Sequence, residues 1–436
     1  MRGIRATLAT VVALLLGAGA ATAAGGAGVS GTGTGSTGGV LTTNPSALRP
    51  LTRALNGGLH TAGRSSGAYV VDMNTGQTLF SSSANVRRLP ASVEKLYTTS
   101  TALLRLGPNA NLLTSVLGNG TVSPTGTFTG TLYIQGGGDP TFGSASFDRS
   151  AYGTGATMQR LVTDLIDVTG LTALNGSVIG DESYFDSERG TPATGFQFSP
   201  FVEGSLSALA YDRGLVNQGS AFVKHPALFA AQQFEAALQS AGVKVARNTR
   251  IGAGRAPASA TTLTNVHSPK LATLIRLTNT PSDNFFAETL IKGIGAKFGA
   301  GGTTAGGAAV VRSQLARSFH IHPQLVDGSG LSLSDHTSPR EVVTALQAMA
   351  ANSSFVSSLA VAGETGTLDG EMRGTVAQGR CRGKTGTLSN VSNLVGYCQA
   401  RDGHMLAFAF LMNSIDPEAA HPVQDKMAVA LAKYDG

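Results

Sequence analysis

The chain has 436 residues, enough for two or three domains that each bury a core of their own. Hydrophobic residues make up 42% and charged residues only 13%, about half the usual charged share, which excludes a disordered, solvating polymer. The net charge of +6 includes Arg2 and Arg5, and no long Lys/Arg run or basic-aromatic stripe occurs, so no nucleic acid partner is expected.

In chain order, Arg2 and Arg5 precede an apolar run, Ala6 to Leu16, and then small residues ending Ala21-Thr22-Ala23. That is the layout of a secretory signal peptide over residues 1–23, with cleavage after Ala23. The run is too short to span a bilayer, and no Cys follows it to carry a lipid. The expectation is export across the cytoplasmic membrane, to the periplasm, the cell wall or the medium. Residues 24–45 are almost wholly Gly, Ser, Thr and Ala, the composition of a flexible linker. Within them Gly33 to Gly38 formally match a dinucleotide fingerprint, but no strand or helix flanks the match, and no cofactor is expected.

Ordered structure is expected to open with a hairpin, Ala68–Val71 and Thr78–Phe80 across Asn74-Thr75-Gly76. After Pro90 the apolar spacing predicts a helix to Leu106, with Ser92 in its first turn and Gly107-Pro108 as its stop. Residues 109–265 are rich in Gly, Thr and Asn, with strand-like runs at 130–135 and 174–179 and helices at 158–168 and 226–241. This is the pattern of an inserted, β-rich accessory region. A further helix is expected from near Pro281 through Ile291, and a capped one at Ser338-Pro339-Arg340-Glu341. Strands around Lys384 and Tyr397, a third at Met405–Met412 and a helix from Pro422 complete the chain.

Three short motifs carry chemistry. Ser92 and Lys95 are three apart on a helix start, so their side chains share a face. A serine hydroxyl needs a base, and a buried lysine can be neutral enough to serve. Ser282-Asp283-Asn284 stands at a helix mouth, where Ser282 could relay a proton and Asn284 could orient the lysine; the same residues also suit a helix cap. Lys384-Thr385-Gly386-Thr387 lies on a strand, where Lys384 and Thr385 suit a carboxylate and Gly386 lets a substrate backbone approach. A phosphate loop is excluded there, because Gln378 stands where its first glycine is needed.

Ser-x-x-Lys, Ser-x-Asn and Lys-Thr-Gly, in this order, resemble the signature set of penicillin-recognising serine enzymes. Gly136 to Phe142, Asp327-Gly328-Ser329-Gly330-Leu331 and the 190 positions between Ser92 and Ser282 are similar to the class C low-molecular-mass branch, the D-alanyl-D-alanine carboxypeptidase/endopeptidases. The resemblance implies an α/β (α+β) fold with an antiparallel sheet flanked by helices. Its transpeptidase-like domain would comprise residues 46–108 and 266–436, split by the 109–265 insertion. It also implies an acyl-enzyme on Ser92, Lys95 as its base, and Ser282 and Asn284 as the opposite wall. Lys384 and Thr385 would hold the terminal carboxylate, and the Ser92 and Thr387 N–H groups would form the oxyanion hole. Peptidoglycan stem peptides would be the substrate and β-lactams the inhibitors, with no stable protein partner inferred. One departure concerns the substrate side chain and not the chemistry: members often carry an Arg soon after the Asp-Gly-Ser-Gly-Leu run, where this chain reads Ser332-Leu333-Ser334.

The rivals are a β-lactamase or an esterase on the same scaffold, and a catalytically silent envelope-binding protein. The last would be expected to lack Lys95 or Asn284, and both are present. Of the two cysteines neither lies in a CxxC pair, and no HExxH occurs, so no metal site is expected. Register links them instead. In a hairpin whose turn is centred between Ser389 and Asn390, facing residues have numbers summing to 779, and Cys381 and Cys398 satisfy that sum. A disulfide is expected there, on the face opposite Lys384.

Overall fold

The computed structural model describes residues 45–216 and 221–436; the expected signal peptide and nearly all of the expected linker lie outside them. No helix among the described residues is long and apolar enough to cross a membrane. The described residues open not on the expected hairpin but on a helix that precedes it, α1 (Pro45–Ala62), followed by β1 (Ser66–Asp72) and β2 (Thr78–Ser82). These two strands join β11 (Ala360–Val361), β12 (Cys381–Leu388), β13 (Val391–Gln399) and β14 (Met405–Asn413) in one antiparallel sheet, ordered β11-β12-β13-β14-β1-β2. Strands from early and late in the described residues therefore make one sheet.

Strand periodicity divides the core. Side chains of successive residues leave opposite faces. Leu406, Phe408, Phe410 and Met412 of β14 accordingly enter one apolar cluster with Leu51 and Leu55 of α1 and Met427 and Leu431 of α11 (Pro417–Ala432). Ala407, Ala409 and Leu411 enter the other, with residues of α2 (Lys95–Leu106), α6 (Leu271–Asn279), α7 (Asn284–Phe298), α8 (Thr304–Phe319) and α9 (Pro339–Met349). The sheet is covered on both faces, which is why β14 is an almost unbroken apolar run. α9 starts on the expected capping box, Ser338 with Glu341. The last helix begins five residues before the expected Pro422: Asp416 caps it and Pro417 takes its first position, leaving Pro422 inside.

Residues 113–267 build a second sheet. It comprises β3 (Leu113–Val122), β4 (Thr127–Gly136), β5 (Ala173–Asp181), β8 (Lys244–Val245), β9 (Arg250–Ala253) and β10 (Thr261–His267). β10, β3 and β4 run antiparallel, whereas β5 pairs in parallel with β4, β8 and β9. A short hairpin, β6 (Leu215–Val216) and β7 (Ala221–Phe222), stands apart. α4 (Met158–Thr169) and α5 (Pro226–Ser240) fall at the expected places, while α3 (Ala145–Ala151), α6, α8 and α10 (Ser353–Ser357) have no forerunner in the sequence reading. This sheet has its own core around Leu132, Val178 and Phe234. One stretch crosses over, since Val202, Leu206 and Ala210 pack into the first core beside α7. That crossing brings residues from the middle of the chain to the mouth of α7.

The β12–β13 register pairs Lys384 with Val395, Gly386 with Asn393 and Cys381 with Cys398. The two cysteines are disulfide-bonded, 17 positions apart. They belong to the α1/α11 side of the sheet, and Val395, which faces Lys384, belongs to the other.

Candidate active site

Ser92 sits on a 3-10 turn, Ala91–Glu94, and not within the α-helix itself, which starts at Lys95. With three residues per turn, positions i and i+3 eclipse one another, so Ser92 and Lys95 are stacked more directly than on an α-helix. The turn is held from two sides. The Asn393 amide on β13 donates to the carbonyls of Leu89 (3.0 Å) and Pro90 (2.8 Å). On β12, a Cβ at Gly386 would lie 2.5 Å from the Pro90 carbonyl oxygen, so glycine lets the strand reach the turn. Its bare face is thus turned on the Ser92 turn. Ala91, just before Ser92, has a left-handed φ of 47°, a conformation that a packed non-glycine residue keeps only when its surroundings fix it.

Lys95 is completely buried, and its Nζ lies 2.8 Å from Ser92 Oγ, 2.6 Å from Asn284 Oδ1 and 2.9 Å from the Ser329 carbonyl oxygen. The orientation of the Asn284 amide follows from chemistry. Its Nδ2 donates to the Phe201 carbonyl at 2.8 Å, which can only accept, so Oδ1 must face the lysine. Two of the three partners of Nζ are therefore obligate acceptors. A neutral amine has two hydrogens, and these two carbonyl oxygens take them. The remaining tetrahedral position, the lone pair, points at Ser92. Burial brings the lysine down to about 8, although carboxylates at Glu203, Glu288, Asp327 and Asp283 pull the other way. An appreciable neutral fraction at pH 7 follows.

Asn284 opens α7 and Asp283 caps it, accepting from Phe286 N at 2.9 Å, so the run that caps the helix also places Asn284 against Lys95. The mouth is lined by the crossing stretch. Glu203 accepts from Asn284 N at 2.9 Å. Arg213 pairs with Asp283, and its guanidinium lies over the rings of Tyr152, Phe285 and Phe286. Ser282 keeps a left-handed φ of 69° two residues before Asn284, and its hydroxyl enters no hydrogen bond among the described residues.

Lys384 is also fully buried, with its Nζ donating to the Thr385 carbonyl at 2.9 Å. Desolvation, and then the nearby Lys95, hold it well below the ordinary lysine range. Burial without an anionic partner disfavours its ammonium form, and an incoming carboxylate would offset that cost. β11 pairs only with Arg382 and Gly383, so Lys384 to Leu388 leave an edge that no strand among the described residues covers. Thr385 Oγ1 bonds to Thr367 at 2.9 Å, and Thr387 is exposed on the same edge.

Four acids lie buried around Ser92 and Lys95. Burial pushes Glu288 up to about 8 and Asp335 up to about 9, and it raises Glu94 and Asp327 as well. Glu288, Asp335, Glu203 and the Phe201 carbonyl were not singled out from sequence. Glu288 and Glu203 accept from backbone N–H groups far along the chain, the Phe201 carbonyl accepts from the distant Asn284 amide and Asp335 from Val326 N, and the one local signal is that Glu288 follows Asn284 by one helical turn.

The chain matches the model of the D-Ala-D-Ala carboxypeptidase 3 (S13) family over residues 54–202 and 199–434. It is 30% identical to the D-alanyl-D-alanine carboxypeptidase of Actinomadura sp. (strain R39), over 86% of this chain and 82% of that protein. It is 29% identical to Carboxypeptidase DacB of Mycolicibacterium smegmatis, over 83% and 79% respectively. Among solved structures it is similar to penicillin binding protein 4 from Haemophilus influenzae, with a TM-score of 0.72 at 18% identity, covering 87% of this chain and 99% of that one.

Proposed function

The chain belongs to the D-Ala-D-Ala carboxypeptidase 3 (S13) family, and on that footing we propose that it is a serine-type D-alanyl-D-alanine carboxypeptidase, with DD-endopeptidase action on the same bond type, working through an acyl-enzyme on Ser92. The observation that carries the reading is the 2.8 Å contact between Ser92 Oγ and a completely buried Lys95. Neutral Lys95 takes the hydroxyl proton as Ser92 Oγ bonds to the penultimate D-alanyl carbonyl carbon. The Ser92 and Thr387 N–H groups stabilise the oxyanion. As the peptide C–N bond breaks, the leaving amine receives a proton passed from Lys95 through Ser282, and D-alanine departs. Water then attacks the ester carbon and gives its proton to Lys95; the bond from that carbon to Ser92 Oγ breaks, Oγ takes the proton back, and the shortened peptide leaves as its carboxylate. Lys384 and Thr385 hold the terminal carboxylate, while Gly386 keeps their strand against the nucleophile turn. Residues 109–265 are the accessory insertion of a domain formed by 46–108 and 266–436. Peptidoglycan stem peptides are the substrate and β-lactams the inhibitors, met outside the cytoplasmic membrane after export by residues 1–23.

A β-lactam mimics the acyl-D-alanyl-D-alanine end, so its ring should open on Ser92 and leave a stable ester. Intact mass after incubation with a penicillin is expected to show one adduct, lost in Ser92→Ala. An adduct that survives the substitution refutes the nucleophile. D-Alanine release from a pentapeptide, set against hydrolysis of a chromogenic β-lactam and a simple ester, separates the carboxypeptidase from a β-lactamase or an esterase; release of none of these marks a silent binder.

A further inference from the structure

The Ser329 carbonyl is one of the two groups that leave the Lys95 lone pair facing Ser92, so whatever fixes that carbonyl fixes the direction of proton transfer. A carbonyl oxygen and the N–H of the next residue belong to one rigid trans peptide plane and point opposite ways. The Gly330 N–H is bound by Asp327 Oδ1 at 2.7 Å, and the Ser329 carbonyl of the same plane therefore points at Lys95. The preceding plane is held in the same manner. Glu288 Oε1 accepts from Ser329 N at 2.8 Å and from Gly328 N at 3.0 Å, and the Gly328 carbonyl accepts from Thr98 Oγ1 at 3.0 Å. Asp327 Oδ2 also takes Ser332 N at 2.9 Å. Gly330 has a left-handed φ of 82°, and a Cβ there would lie 1.9 Å from the Ala91 carbonyl oxygen, so the turn fits tightly beneath the nucleophile. Both carboxyl groups are completely buried.

α7 links this clamp to the rest of the site. Asn284, Glu288 and Lys292 are spaced by four and lie along one stripe of the helix. Asn284 meets Lys95, Glu288 holds the turn 328–329, and Lys292 is bound to Asp186 and to the Glu188 carbonyl. A single helix thus sets both obligate acceptors of the lysine, one directly and one through the turn.

We propose that Glu288 is a positioning residue for acyl transfer: with Asp327 it orients the Ser329 peptide so that the lone pair of Lys95 is directed at Ser92. The inference rests on Lys95 being the base. Its test is the acylation rate constant and the dissociation constant of the preceding non-covalent complex, measured separately by stopped flow with a chromogenic β-lactam. Glu288→Ala is expected to lower the rate constant 30-fold or more and change the dissociation constant less than threefold. Glu288→Gln still offers an amide oxygen to both N–H groups and should stay within tenfold of the parent. The inference fails if Glu288→Ala acylates within threefold of the parent, if Glu288→Gln falls as far as Glu288→Ala, or if the loss lies in binding alone. Should Glu288→Ala not fold, Glu288→Asp, which keeps the acid and loses the reach, is expected to be at least tenfold slow, and parental speed overturns the idea. Lys95→Arg, run alongside, distinguishes the two readings: a fast Lys95→Arg refutes the base, whereas a slow Lys95→Arg with a fast Glu288→Ala refutes only the clamp.

Discussion

Among the described residues, one set of acids lies buried behind Lys95, and another lies buried or half-buried among the helices and loops of the second sheet. In the second set Asp139 is raised to about 7, Asp148 to about 8, and Asp212 also upward, each chiefly by desolvation. In the first, burial raises Glu288 to about 8 and Asp335 to about 9. By titration alone the two sets would be hard to tell apart. Their wiring differs. Asp139 bonds to Thr141 two residues away, Asp212 to Ser144, and the Asp148 carboxyl oxygens to nothing among the described residues. Glu288 and Asp327 bind the N–H groups of a turn whose carbonyl meets Lys95, the proposed base. What distinguishes a working buried acid is therefore what lies on the far side of its hydrogen bonds.

The sharpest way to break this contrast is at Lys95. Lys95→Arg keeps the charge but has no neutral form at working pH. Acylation is expected to fall by roughly 10³-fold, within the range that general acid–base catalysis contributes. In the parent enzyme the acylation rate should rise with pH and level off above about 8, as the lysine loses its proton. A flat profile, or a fast Lys95→Arg, would remove the reason for treating the first set as special.

A middle-sized effect is expected at Lys384, the second buried lysine. Lys384→Ala should cost about 10- to 100-fold in kcat/KM for peptides with a free C-terminus, the value of a charge-assisted hydrogen bond. Amidated peptides should lose much less. Equal losses on both would mean that Lys384 supports the strand and does not read the carboxylate.

The smallest effect on activity belongs to Asp148, whose substitution by Asn should leave kcat/KM within about twofold, since functional effects follow contact with the site. Stability should move instead. Its folded value of about 8 lies above the 3.8 of an unfolded aspartate, so the folded state holds the extra proton between them. The contribution is fully present below about 4 and is lost as pH rises through 8. The parent Tm should fall across that window, and Asp148→Asn should flatten the fall. Identical Tm profiles for the two proteins would show that Asp148 does not carry the proton.

How much of this was legible beforehand depended on whether a relationship was local. Ser92 and Lys95 are one turn apart, and the Cys381–Cys398 pairing follows from a constant sum across one short turn, so both could be read directly. The fold class and the three motifs came from spacing and resemblance together. Glu288 and Glu203 were not legible, because they act on backbone N–H groups 41 and 81 positions away, and residue type does not reveal direction. Gly386 was read as making room for substrate, but the room its missing Cβ leaves is occupied by Pro90 and Val93. The start of α11 was misplaced because two prolines competed for the first position, and the Asp416 cap decides for Pro417.

The joining of early and late strands also sets an order of assembly. β1 cannot pair with β14 until the segment near Met412 exists, because Ser66 lies opposite it. The second sheet lies wholly between residues 113 and 267, and its β3–β4 hairpin closes over a few residues. Short-range closure is fast and long-range closure slow, so on an emerging chain the middle folds before the ends. Ser92 is made early yet waits for Asn284, Ser329 and finally β12 before its turn has a full set of supports. A chain cut short before Cys381 would carry Ser92 without the strand that supports its turn.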